Sequence, residues 1–435
     1  MSREFLFVLW AGGGNVPPQL CIARRLVARG DRVRMLAPAV LRDSIEAAGV
    51  AFEPYGETPE HDEADPERSI VRDFEARSKV GAVAAVRDNL IAALTRPVAL
   101  DVLAALERRP ADVVAFDFLL FGAGFAAEKA RVPAAMLIHT VYPFPVPGMP
   151  PYGMGWSPIG GPVGRLRDAA GRLMFRRMYE APLMPVFNRV RGELGLERVR
   201  SIDEMVGTVE RALVMTSPAF DFPAHLPANV EYVGPQVDGS VGPRVASPWA
   251  PDDPRPLVVV GLSTTYLAHE TLLERVVAGL ADLPVRALVT TGSATLRSPA
   301  PPNVHVERFV PHAQVMPEAA VVVTHAGLGT VHVALAHGVP LVCLPISRDQ
   351  PDNAARVAWH GAGLRLSSNS APDSIRRAVD RVLTGPAFAA SARRLAAAFA
   401  EERTADRAPA VLDALASKLA RNAAVGRAAV AAGTA

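Results

Sequence analysis

The segment from Thr324 to Val357, THAGLGTVHVALAHGVPLVCLPISRDQPDNAARV, holds residues whose order and type suit binding chemistry. The apolar run from Ala320 to Thr324 reads as a buried strand that delivers His325. Gly327, Gly329 and Thr330 follow, and a helical pattern continues to His337. A strand that opens through glycines into a helix aims bare backbone N–H groups and a helix N-terminus at one spot, which suits a diphosphate. His325 adds a hydrogen-bond donor there. A strand-to-helix turn capped by a histidine has the same appearance. A second strand, Leu341 to Leu344, enters through Gly338-Val339-Pro340 and leads to Asp349, Gln350 and Asn353. A carboxylate and amides beside the first loop suit sugar hydroxyls, although Asp349 alone reads equally as a helix N-cap.

Acid–base candidates lie in the first half of the chain. Asp117 ends the apolar run Val113–Phe116. A carboxylate at the end of a buried strand is costly unless it has a partner or a task. Capping the next helix is the plain alternative. His139 ends another apolar run and reads either as a satisfied core histidine or as part of an acceptor pocket. Between Thr140 and Gly164 stand Tyr142, Phe144, Met149, Tyr152, Met154 and Trp156. These side chains suit the lining of an apolar acceptor site, or else pack on their own domain. The histidines are scattered, and none pairs with carboxylates at metal-ligand spacing, so no metal site is expected.

The elements that must position these groups alternate between strand and helix. Glu4–Trp10, Arg32–Ala37, Asp112–Phe116, Ala134–His139 and Ala212–Met215 read as strands. Pro17–Arg29 reads as a helix with proline at its start, Leu20, Ala23 and Leu26 on one face, and Gly30 at its end. Val40–Ala48 reads as a second helix. Prolines crowd from Gly234 to Pro256, as in an interdomain linker. The rhythm then restarts with strands Leu257–Leu262 and Arg286–Thr290 and a helix His269–Leu280. Helices Pro351–Trp359 and Pro372–Leu383 follow the Thr324 segment. The expected class is α/β, with two Rossmann-like parallel-sheet domains facing across a cleft. The expected boundaries are an N-terminal acceptor domain over 1–234, a linker over 235–256, a C-terminal nucleotide domain over 257–420 and a flexible tail over 421–435. The last helix is free to cross back to the first domain.

Composition narrows the classes. The 435 residues fit two domains of roughly 200 residues each. The net charge is only +2, without a basic block, which excludes a nucleic-acid binder. Cys21 and Cys343 fall in different halves, which fits a reducing cytoplasm and no structural disulfide. The uncharged stretch Val132–Gly164 holds Pro143, Pro145, Pro147, Pro150 and Pro151, so it reads as a loop and not a span. No stable membrane insertion is expected, and a homodimer is compatible with the sequence.

The Thr324–Val357 segment, the approach Phe309-Val310-Pro311-His312 and the run GGGNVPPQLCIARRLVARGDRV together resemble glycosyltransferase family one, the GT-B enzymes that act on natural products, lipids and macrolides. The resemblance implies that His325 contacts a diphosphate, with amides around Gly327, Gly329 and Thr330. It implies that Asp349 and Gln350 hold the sugar, that the Phe309–His312 loop, including Val310, cradles the base, and that Ser263 and Thr264 form a second phosphate clamp. Many relatives carry a glutamate where Val333 stands, which grips the ribose hydroxyls. Valine cannot, and Phe309 replaces a frequent tryptophan. Both favour a dTDP-sugar over a UDP-sugar.

In this family an inverting transfer uses a histidine base in the loop after the first strand, paired with an aspartate near the fourth. Here that loop carries Asn15, whose carboxamide orients but does not deprotonate. Asp117 matches the aspartate and becomes the first candidate for the base, with His139 second. The expected function is an inverting, metal-independent sugar transfer from a dTDP- or UDP-sugar to a small apolar acceptor, phenolic or polyketide-like. No cofactor is expected, since the nucleotide sugar is a co-substrate. Asn15 supports the rival reading, a non-catalytic sugar-nucleotide-binding protein. A dinucleotide oxidoreductase fits Gly12 and Gly14, but Pro17 replaces the third glycine and no acid ends the second strand.

Overall fold

Phe5 and Phe7 of strand β1 (Glu4–Val8) point into one core, and Leu6 and Val8 into another. Successive side chains of a strand face opposite ways, so a strand apolar throughout must be covered on both sides. Helices supply that cover in the computed structural model, which describes residues 2–237, 248–250, 252–262 and 265–417.

The N-terminal sheet adds β2 (Arg32–Ala37), β3 (Ala51–Pro54), β4 (Val113–Asp117), β5 (Ala134–Ile138), β6 (Arg211–Val214) and β7 (Val230–Tyr232). All are parallel, in the order β3-β2-β1-β4-β5-β6-β7. The C-terminal sheet contains β8 (Leu257–Gly261), β9 (Arg286–Thr290), β10 (Val304–Glu307), β11 (Ala319–Thr324), β12 (Leu341–Cys343) and β13 (Gly363–Arg365). It is also parallel, in the order β10-β9-β8-β11-β12-β13. The strand order reverses between β1 and β4, and again between β8 and β11. In such sheets ligands bind at the carboxyl ends of the strands beside that reversal. Asp117 and His325 both stand there. The short strands β3, β7, β10 and β13 were not anticipated from sequence. Of the expected linker, only 235–237, 248–250 and 252–256 lie within the described residues.

Polar ties hold the two sheets' domains together. Arg356 Nε and Nη2 donate to Asp221 Oδ1, both at 2.7 Å, with both side chains buried. The same guanidinium lies 4.1 Å from the Phe222 ring centroid. Helix Pro386–Ala405 ends at Asp406, whose carboxylate pairs at 2.6 Å with Arg25 on the helix Val16–Ala28 and with Arg29 just after it. Residues 407–417 are helical, and Ala408, Leu412 and Leu415 join the core built on Phe5 and Phe7. The chain therefore returns to the N-terminal sheet. Among the described residues one helical stretch, Lys79–Arg108, is long and apolar enough by composition to span a membrane, and 56% of its apolar window is buried. Val98, Val102 and Leu106 place it in the N-terminal core.

Candidate active site

A cavity of about 1360 Å³ opens between the domains and takes its walls from both. On the N-terminal side, β4 and β5 end side by side and bring Asp117 and His139 together. His139 Nδ1 lies 3.1 Å from Asp117 Oδ2, within ion-pair reach but off the line of a good hydrogen bond. Asn15 Nδ2 and Gln19 Nε2 each donate to the same Oδ2 at 2.9 Å, and the Leu119 N–H donates to Oδ1 at 3.2 Å. Asn15 also donates to the Trp10 carbonyl at 3.0 Å.

Asp117 is 0% exposed and lines no part of the cavity, whereas His139 does. A carboxylate without access to the cavity cannot take a proton directly from a molecule bound in it. The expectation that Asp117 meets the acceptor is therefore corrected: His139 is the group between Asp117 and the cavity. Gln19 was missed from sequence. Its signal is the spacing of four from Asn15, which sets both amides on one face of the same helix.

On the C-terminal side, β11 delivers His325 and the helix Leu328–Ala336 begins behind Gly327. The first-turn N–H groups of that helix have no intrahelical acceptors and are free for an anion. Gly327 is required by packing, since a Cβ there would lie 2.5 Å from His325 Nε2. Between them Ala326 takes φ of +68°, a conformation that L side chains rarely adopt. The turn is held by the Ala326 N–H donating to Thr324 Oγ1 at 3.2 Å and by Asn353 Nδ2 donating to the Ala326 carbonyl at 2.9 Å.

Asn353 also donates to Asp349 Oδ2 at 2.8 Å, and so ties the two loops of this side to each other. Gln350 Oε1 accepts from the N–H groups of Ile346 and Ser347, at 2.8 and 3.0 Å, which leaves its NH2 for the cavity. Burial raises the Asp349 carboxyl above its ordinary value, against the pull of the Asn353 amide and the nearby His139 imidazole. Burial likewise pushes His325 down to about 3 and His312 down to about 4, so both rings are neutral near pH 7. Thr290 Oγ1 lies 3.1 Å from His312 Nε2, and the ring occupies space left by Gly261, where a Cβ would meet it at 2.4 Å.

The cavity thus brings together Asn15, His139, Phe309, Val310, His312, His325, Gly327, Gly329, Thr330, Asp349 and Gln350. Phe309 is 69% exposed at its edge, and Val333 also lines it. Ser263 and Thr264 lie outside the described residues. The residues expected at the acceptor site take different positions. Phe144 and Tyr152 line the cavity, but Tyr142 and Met149 are buried in the N-terminal core. Trp156 lies away from the cavity beneath the Arg167 guanidinium, 5.0 Å from its ring centroid. The C-terminal domain also holds this loop. The N–H groups of Gly153 and Gly155, both at positive φ, donate to Asp352 at 2.5 and 2.9 Å.

Phe74, Val83, Val86, Leu90, Phe118, Phe121 and Phe175 contribute to the apolar N-terminal wall, from elements whose role was not legible in sequence. At the domain boundary Arg348 Nε and Nη2 donate to the buried Asp73 carboxylate at 2.8 and 2.9 Å.

Two facing parallel-sheet domains, with the loops of both reversal points on one cavity, define the GT-B class. Known proteins agree. Residues 274–415 match the family described as "Erythromycin biosynthesis protein CIII-like, C-terminal domain". The chain is 33% identical over 401 residues to the 4'-demethylrebeccamycin synthase of Lentzea aerocolonigenes, covering 91% of this chain and 95% of that one. It is 27% identical over 394 residues to the 3-alpha-mycarosylerythronolide B desosaminyl transferase of Saccharopolyspora erythraea, with 85% and 87% covered. The fold matches the calicheamicin glycosyltransferase CalG4 with a TM-score of 0.73 at 22% identity, over 96% and 99% of the two chains. It matches the glycosyltransferase VinC, solved in complex with dTDP, with a TM-score of 0.68 at 20% identity, over 95% and 100%. The chain belongs to the GT-B glycosyltransferases of antibiotic and other natural-product pathways.

Proposed function

We propose that this enzyme moves a sugar from a nucleoside diphosphate to an apolar acceptor with inversion, that His139 removes the acceptor proton, and that no metal is needed. One observation carries the reading: His139 bridges from the buried Asp117 to a cavity that His325 and Asp349 share. With Nδ1 turned to Asp117, the imidazole presents Nε2 as the acceptor of a proton. The attacking oxygen or nitrogen forms its bond to the anomeric carbon as the carbon–diphosphate bond breaks. Asp117 is a positioning residue that stabilises the imidazolium formed, as the amides of Asn15 and Gln19 hold it in place.

The residues over 257–420 bind the donor and those over 1–234 the acceptor. The helix N-terminus at Gly327 and the neutral His325 supply hydrogen bonds to the leaving diphosphate, a role that a metal ion has elsewhere. Asp349 and the Gln350 amide take the sugar hydroxyls, and Val310 and Phe309 flank the base. Val333 offers nothing to a ribose 2′-hydroxyl, which favours dTDP, the nucleotide with which VinC was solved. The apolar wall of phenylalanines suits a large aromatic or polyketide-like acceptor, and the enzyme works in the cytoplasm. A merely sugar-nucleotide-binding protein is not favoured, since the curated relatives are named as a synthase and as transferases.

The test is thermal stabilisation against dTDP, UDP, GDP and NAD, followed by mass-spectrometric detection of product from an acceptor panel. The reading expects dTDP to stabilise most and NAD not at all. Stabilisation by NAD alone contradicts it.

A further inference from the structure

The helix Gly161–Phe175 is amphipathic in an unusual sense: its outward face is apolar. Gly164, Asp168, Gly171 and Phe175 are buried, and Phe175 reaches the wall of the acceptor cavity. On the opposite side Val163 and Leu166 are each 74% exposed, with Leu173 and Met174 exposed farther along and Ile159 just before the helix. At 100° per residue, Val163, Leu166, Ala170, Leu173 and Met174 form one continuous stripe. A surface helix ordinarily turns polar residues to water, so this stripe is an exposed apolar patch in need of a partner.

The flanking charges say which partner. Arg165, Arg172 and Arg176 follow one border of the stripe at helical spacing, and Arg177 stands at its end. Arg165, Arg172 and Arg177 have no salt bridge among the described residues, and Arg176 has a 4.0 Å contact with Glu180 and lies within electrostatic reach of Asp203. The one carboxylate within the helix, Asp168, is turned inward and taken by Arg167 at 2.7 Å. An antiparallel pairing of this face with a second copy across a two-fold would set arginine rows against each other. An anionic lipid surface satisfies both features, since Leu, Val and Met sink to the acyl boundary while arginines meet the headgroups. The exposed Val80 lies near this face, because the segment Lys79–Ala85 packs against Arg176–Glu180.

We propose that the Gly161–Arg177 face docks this enzyme on anionic membranes. The helix would have its outer face on lipid while its last residue, Phe175, lines the acceptor cavity, so an apolar acceptor dissolved in the membrane has a short route to the site. That route rests on the function proposed above, whereas the docking does not.

The test is sedimentation of the full chain, without substrates, with vesicles of phosphatidylcholine alone or phosphatidylcholine containing a minority of phosphatidylglycerol. Binding is expected only to the anionic vesicles and is expected to weaken with salt. Arg165→Ser and Arg177→Ser should each lower the partition coefficient about fivefold. A Leu166→Ser/Leu173→Ser double variant, with melting unchanged because both side chains already face water, should abolish sedimentation. Where that variant fails to fold, the single arginine variants and the salt titration decide. No binding to anionic vesicles overturns the proposal, and so does binding that these substitutions leave unaltered. A concentration-dependent dimer that Leu166→Ser dissolves would assign the face to a second copy instead.

Discussion

His139 Nδ1 stands 3.1 Å from Asp117 Oδ2, and the same carboxylate oxygen collects the amide hydrogens of Asn15 and Gln19. That oxygen thus has three side-chain neighbours, of which only His139 carries a ring nitrogen able to accept a proton. Gln19 is the neighbour easiest to isolate. Gln19→Leu removes one donor without touching the cavity, so turnover should fall severalfold while the KM for donor stays near wild type. Activity equal to wild type would remove Gln19 from the positioning set.

His325 is the residue proposed here to hold the donor diphosphate. Replacing it with Ala removes a hydrogen bond to a charged phosphate, worth about 1.5–3 kcal/mol. Calorimetric titration should show dTDP binding weakened by about 10- to 100-fold with the fold retained. A diphosphate beside the ring also favours its protonated form, which burial first, with the nearby His269, His312 and Arg348, holds down to about 3. Binding should therefore take up protons as pH falls toward about 5, and affinity should rise in that direction. Proton release on binding would reverse the sign and contradict the placement.

Donor choice is tested at Val333, which lines the cavity one helical turn beyond Gly329. Val333→Glu should strengthen UDP relative to dTDP, because a carboxylate can accept the ribose 2′-hydroxyl. Competition binding of the two nucleotides reads the ratio directly. A ratio unchanged in the folded variant would separate Val333 from the ribose.

Stability should depend on pH through the buried histidines. His332 is held down to about 3 by burial, and its Nε2 lies 2.8 Å from Thr216 Oγ1 in the other domain. In the unfolded chain it takes up a proton near its ordinary value of 6.5. Below that pH the unfolded state binds the extra proton, so stability falls as pH is lowered. Asp352, pushed up to about 6 by burial, acts in the opposite sense because it is protonated first in the folded state. Denaturant titrations of wild type and His332→Gln between about pH 6.5 and 5 separate the two. The variant should lose a slope of up to about 1.4 kcal/mol per pH unit.

Much of this architecture is legible in the residues themselves. β1, β4, β8 and β11 are runs of Val, Leu, Phe and Ala buried on both faces, and a sequence declares such strands directly. β3 and β13 are short outer strands, AFEP and GLR, with little apolar surface to mark them. The turn proposed to hold phosphate is local, so its glycines and His325 announce its shape within a few residues. The environment of Asp117 is not local. Its partners arrive from helix Val16–Ala28 and from the end of β5, and only the closed sheet puts them beside it. The loop after His139 shows the same limit, for without a period nothing separates the buried Tyr142 and Met149 from Phe144 and Tyr152 at the cavity. The tie from Asp352 to Gly153 and Gly155 holds that loop, and it joins residues nearly two hundred positions apart.

The central claim is that His139 takes the acceptor proton and Asp117 orients it. The most direct measurement is the turnover of His139→Asn with a saturating dTDP-sugar on two acceptors of similar shape, one a weakly acidic alcohol and the other a phenol ionised near neutral pH. Loss of a general base costs about 10²–10⁴ in rate where the acceptor proton must be removed. The account predicts a loss of that order on the alcohol, a much smaller one on the phenol, and dTDP affinity unchanged in both cases. Wild-type turnover of the alcohol by folded His139→Asn would contradict it.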